Sequence, residues 1–234
     1  MGKKGKNNDS EKKYFRNIER GGDERFSVPD SYSRIDPVQL KEMQLPEDSV
    51  GFTTATSNAT GLIVGYTVPR EAAMPFDRPE ELIAFLHETM NDNQGIIEVN
   101  NGKCRDGGRY VYYIMKYWRG EDDIPSRIYG YQLNINFEIG DKVYFISGSF
   151  EEAGMTGHRA SVGIMLLAKA KEQAGQIADL TDIMENEWAT DPYDPGYTKG
   201  FLMNWSERTN LDSIFLEHPL SLTRELIRYV IENN

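Results

Sequence analysis

Between residues 108 and 169 apolar and polar positions alternate with period two in three successive runs, then switch to the spacing of a helix. The clearest run is 129–139. Tyr131, Leu133, Ile135, Phe137 and Ile139 face one way, and Gln132, Asn134, Asn136 and Glu138 face the other. A longer strand, 109–118, precedes it, and 143–150 returns the chain after the Gly140-Asp141 turn. The three runs predict an antiparallel meander with one face on a core and an Asn/Gln face that is wet or under a polar lid. A helix follows from Thr156 to about Lys171, with Val162, Met165, Leu166 and Ala170 on one face, and it is expected to pack back on the sheet. Gly163 weakens that helix by up to ~1 kcal/mol.

The same reading extends to both sides. Asp36 caps a short helix with Pro37 in its first turn, and Leu40 and Met43 share a face. Two strand-like runs flank Asn58, Ala59, Thr60 and Gly61, and the second, 62–68, is apolar enough for a central strand. Leu82, Ile83, Leu86 and Met90 fall on one side of a helix opened by Pro79, Glu80 and Glu81. Residues 96–100 read as a strand, and Asn101-Gly102 as a reverse turn after it. Helical character continues over 172–190, and residues 191–197, with Pro192 and Pro195, break the chain. His218-Pro219 opens a last helix with an apolar stripe of Leu222, Leu226, Ile227, Val230 and Ile231. The fold class is therefore α+β, a mostly antiparallel sheet of about six strands with helices on its faces. Residues 1–25 are polar and read as a flexible arm, 26–190 as the α+β sandwich, and 191–234 as a strap and helix on that same domain.

Composition narrows the partners. A net charge of −11 over 234 residues argues against nucleic acid and against anionic membrane surfaces. No apolar run reaches the roughly 18 residues of a spanning helix, so no membrane partner is expected. Cys104 is the single cysteine, and no apolar segment follows the basic residues at the start, so a cytoplasmic protein is expected. Lys103 and Arg105 beside Cys104 favour a lower thiol pKa, although a free surface thiol is the simpler reading.

Candidate chemistry concentrates where the meander meets its helix. Thr156, Gly157, His158 and Arg159 combine a helix start, whose N–H groups attract anions, with a guanidinium. Glycines and a Thr N-cap account for the same residues as a turn alone. Glu151 and Glu152 are the acidic pair nearest this joint, yet adjacent residues point to opposite sides of a strand. His87, His158 and His218 lack metal-ligand spacing, and His218 is expected to cap or to lie on the surface. No nucleophile elbow, phosphate loop or dinucleotide fingerprint is present, so no cofactor, metal or catalytic residue is assigned. Tyr193, Tyr197, Phe201, Met203 and Trp205 gather on an irregular segment that suits either a partner surface or a strap over the sheet, the strap being favoured.

Residues 45–49, 92–100, 154–159, 191–204 and 218–221 together resemble a group of uncharacterised cytosolic proteins of Gram-positive, gut-type anaerobes. The strand order with its Gly154-Met155-Thr156-Gly157 joint into a helix also resembles the PsbP-like fold. That second resemblance implies an antiparallel sheet between helices and a binding or accessory role. Two functions follow as expectations. One is a non-catalytic binding or accessory protein contacting a protein partner. The other is a small hydrolase or anion-dependent enzyme centred on Glu151, Glu152, His158 and Arg159. Oligomeric state is not fixed by these residues.

Overall fold

The computed structural model of the chain describes residues 15–20, 24–120, 127–176 and 179–233. In chain order, β1 (Phe15–Arg20) pairs with β2 (Glu24–Pro29) as a separate antiparallel hairpin. The expected N-terminal arm lies outside the described residues over 1–14 and 21–23, and its described part belongs to this hairpin. There follow β3 (Ser33–Arg34), α1 (Pro37–Glu42), β4 (Val50–Ala55), β5 (Ala59–Val68) and α2 (Pro79–Thr89). The meander is β6 (Gln94–Lys103), β7 (Arg109–Arg119), β8 (Ile128–Ile139) and β9 (Lys142–Glu152). The chain ends in α3 (His158–Gln173), α4 (Leu180–Asn186) and α5 (Pro219–Asn233).

The main sheet is antiparallel with seven strands in the order β3-β4-β5-β9-β8-β7-β6. The seventh strand, β3, spans two residues, too short to carry a periodic signal. Alternation sorts the side chains to two faces. Ile114, Leu133, Ile135, Ile146 and Phe150 meet Leu226, Ile227 and Val230 of α5, with Val28 of β2 in the same cluster. On the reverse face Leu82 and Leu86 of α2 cover Ile96, Val99, Val111 and Met115. Asn134 and Asn136 share this reverse face, and both are buried. Asn136 accepts a hydrogen bond from the Met74 amide at 2.8 Å, so the loop before α2 supplies its polar cover.

Three local expectations give way to packing, and β6 carries a bulge besides. Asn101 and Gly102 lie inside β6, paired with Val111 and Tyr110. The turn comes later, where the Cys104 amide bonds the Gly108 carbonyl at 2.7 Å and Gly107 has φ 93°. Cys104 is buried rather than exposed, and burial pushes its thiol up to about 11 instead of down. A register shift between Ile96 and Glu98 interrupts the β6 alternation. This bulge lets Glu98 reach Tyr112 and Arg224 on the α5 side. Finally, α3 packs against the 3-10 turn Trp205–Glu207 and α4 rather than lying on the sheet. Its buried side is Arg159, Gly163 and Leu167, while Met165 is 70% exposed. Gly163 is needed for that contact, since a Cβ there would stand 2.4 Å from Ser206 Cβ.

No helix among the described residues is long and apolar enough to cross a membrane.

Candidate functional site

The upper ends of β7, β8 and β9, the first turn of α3 and the segment 188–207 enclose a cavity of about 380 Å³. Alternation delivers three of its side chains: Lys116, Tyr131 and Glu152 stand two residues from the core residues Ile114, Leu133 and Phe150, on the same α5 face. Strand ends are where the apolar stripe runs out, and here it runs into charge.

Lys116 is 1% exposed, and its ammonium lies 3.0 Å from Glu207 Oε2 and 3.7 Å from the centre of the Phe201 ring. Burial lowers its pKa, and the Glu207 carboxylate acts in the opposite direction. Glu207 also accepts from the Tyr131 hydroxyl at 2.9 Å and from the Asn204 amide at 2.6 Å. Asn204 in turn accepts from the Ser206 amide, so a capping box holds Glu207 in place.

His218 links the end of β9 to the start of α5. Its Nδ1 accepts from the Leu220 amide at 3.2 Å, which leaves the proton on Nε2 to be donated to Glu152 Oε1 at 3.1 Å. It therefore caps α5, as expected, but is buried rather than exposed. Burial lowers its pKa; the Glu152 hydrogen bond raises it and the Arg159 charge lowers it further. The other Glu152 oxygen accepts from the Gly157 amide at 2.7 Å, so the positive end of α3 is met by the protein's own carboxylate.

Arg159 is buried and committed within the protein. It donates to the Ser206 carbonyl at 2.7 Å, the Arg208 carbonyl at 3.2 Å, Ser221 Oγ at 3.1 Å and Asp212 Oδ1 at 2.8 Å. Asp212 also takes Arg224 at 3.0 and 3.2 Å. Its ion-pair partner is thus Asp212, and not Glu151 or Glu152, the acids nearest the joint in sequence. Position 212 is far along the chain and carries no pattern that would flag it.

Of the four residues expected to hold a ligand, Thr156, Gly157 and Arg159 line the cavity. Thr156 does not cap α3; Gly157 occupies the N-cap, with φ 71° and no side-chain cap. His158 turns to a neighbouring groove, where its ring meets Phe215 edge-on at 5.9 Å. Glu151 points through the sheet to the other face, bonded to Arg119 and Tyr117. Glu151 therefore stands apart, whereas Glu152, His158 and Arg159 line the groove beside the cavity together.

The aromatic segment binds the edge of its own sheet. The Tyr193 hydroxyl accepts from the Val99 amide and donates to the Val99 carbonyl, filling the outward backbone groups of edge strand β6. Tyr197 stacks on His87 at 4.2 Å, and His87 Nε2 lies 3.0 Å from Asp191 Oδ2. The Phe201 amide bonds the Gln94 carbonyl at 2.7 Å, and Phe201 O would stand 1.8 Å from any Cβ at Gly95. This segment is a strap. It carries Phe201 into the cavity wall and Trp205 into the 3-10 turn, with Trp205 half-buried below Arg208. The cavity residues missed by sequence reading are Lys116, Tyr131, Glu207 and His218. Lys116 alone left a signal, as a charge in an apolar strand position.

Compared with known families and curated proteins, the chain matches no family model and no curated protein.

Proposed function

We propose that this is a non-catalytic binding protein, that the cavity between the sheet end and α3 holds its ligand, and that it works as an accessory to a protein partner. The observation behind this is that the ionisable side chains on the cavity wall are already engaged. Both nitrogens of His218 and both oxygens of Glu152 and of Glu207 have protein partners. A general base must be able to turn to its substrate, and these groups are each oriented by partners within the protein. The wall instead supplies aromatic surface from Tyr129, Trp188 and Phe201 beside fixed polar groups, the composition of a binding pocket. The resemblance to PsbP-like proteins points to the same kind of role. A buried free thiol at Cys104 suits a reducing cytoplasm, and the charge of −11 suits partners other than nucleic acid.

A fragment library screened by protein NMR tests this. Saturable shifts should cluster at Gly130, Ala160 and Trp188, with the bound compounds unchanged after hours of incubation. Conversion of a bound compound that stops in Glu152→Gln overturns the reading in favour of an enzyme.

A further inference from the structure

We propose that the cavity selects flat, uncharged ligands carrying an acceptor oxygen, aromatic carboxamides being the simplest class, and that Lys116 is the donor that fixes them. The inference rests on the reading of the protein as a binding protein and names the ligand class of that same site.

The first argument is donor inventory. An ammonium has three N–H groups. At Lys116 one is directed to Glu207 at 3.0 Å, and the face of Phe201 lies 3.7 Å from the nitrogen. These two partners leave one N–H for the cavity that Lys116 lines. A dry, unmatched donor on a charged group is costly, so the position favours an occupant that brings an acceptor.

The second argument is charge. The wall carries Lys116 and Arg159 against Glu152 and Glu207. A carboxylate ligand drawn to Lys116 would sit beside two buried carboxylates, and an ammonium ligand beside two buried cations. Either would have to break an existing pair, at the price of a stranded charge. A neutral dipole satisfies Lys116 and disturbs neither pair.

The third argument is shape. The Tyr129 and Phe201 rings stand 5.9 Å apart at 41°, and with Trp188 they line the cavity with aromatic surface against which a planar group can pack. A volume of about 380 Å³ is the space of about a dozen waters at ~30 Å³ each.

Three near-isosteric probes separate the possibilities: benzamide, benzoate and benzylammonium, titrated by calorimetry and NMR into the full chain. The variant is Lys116→Met combined with Glu207→Gln, which removes both members of the pair so that neither is stranded. Benzamide is expected to bind in the cavity at least tenfold more tightly than either charged probe. In the variant, benzamide should lose at least tenfold and the order should collapse. Benzoate binding as well as benzamide overturns the inference in favour of an anion site. Benzylammonium binding tightest overturns it in favour of an aromatic cation box. Unchanged benzamide affinity in a folded variant removes Lys116 from the account, and if the variant does not fold, the wild-type order decides alone. Cavity binders that ignore this order sink the inference while leaving the binding role intact; no cavity binder from the library sinks both.

Discussion

The α5 face of the sheet is buried at its centre and at its upper end, but the two are held by different forces. At the centre, Leu133 is 0% exposed among Ile114, Ile135, Ile146 and the α5 side chains. At the end, Lys116 and Arg159 are each 1% exposed among Glu207, Asp212 and Arg224. Apolar contacts are non-directional, so the centre fixes that α5 lies on the sheet but not where a loop crosses it. The residues from 188 to 218 have no periodic stripe with which to dock. Hydrogen bonds to the edge of β6 hold 193–201, and buried pairs position the rest: Glu207 on Lys116, Asp212 on Arg159 and Arg224, His218 on Glu152. Such pairs add little net stability over apolar packing, yet a wrong register would strand a charge. The cavity exists because the segment is held this way, beside the sheet rather than collapsed on it.

The largest effect should come from breaking the polar end. Asp212 compensates two guanidinium groups, at 2.8 Å for Arg159 and 3.0 Å for Arg224. Asp212→Ala should destabilise the protein by about 3–5 kcal/mol, the cost of uncompensated buried charge, read from urea unfolding. A loss under about 1 kcal/mol, far below that range, would mean that water reaches both arginines and that the end is not dry.

The centre should yield somewhat less. Leu133→Ala removes core volume at a site with no exposure, and about 2–5 kcal/mol is expected by the same measurement. Leu133→Met, which conserves volume, should cost less than about 1.5 kcal/mol. The polar end has no such forgiving substitution for Asp212, and a Leu133→Met loss as large as that of Leu133→Ala would erase the distinction between the regions.

This contrast also decides what the sequence discloses. Strands β7, β8 and β9 are visible because alternation in each strand reflects one sheet with two different faces. Pro79 and Pro219 mark helix starts through a local property of the ring. The buried side of α3 is not visible, because its partner is a 3-10 turn some forty residues later and its contact residues are an arginine and a glycine. The bulge at Ile97 is hidden for the same reason: what it serves is Arg224 on α5. The joint at 154–159 was legible as a place, but the roles inside it were not. Whether Arg159 is free or committed depends on Asp212, and a single sequence carries no trace of that pairing.

The smallest effect should be a pH dependence confined to the polar end. His218 faces Glu152 from β9, the ring of Tyr131 from β8 at 5.5 Å, the charge of Arg159 from α3, that of Glu207 from the 3-10 turn, and the Leu220 amide of its own helix. Burial holds its folded pKa below the ordinary histidine value near 6.5. As pH falls below that value, the unfolded chain takes up a proton that the folded chain refuses, so stability declines with pH until the folded pKa is passed. Above about pH 7 this contribution is level, because neither state binds the proton. The acid loss associated with Glu138, whose carboxyl Arg109 holds down at about 2, begins only as unfolded carboxylates protonate near ~4.3. Urea unfolding of wild type and His218→Gln between pH 8 and 5 isolates the effect. The variant should be less stable at pH 8, having lost the cap on α5, and the gap should narrow as the wild type declines below pH 6.5. Parallel curves would overturn this, since they require folded and unfolded His218 to take up the proton at the same pH, with the Glu152–His218 contact becoming an ion pair below it.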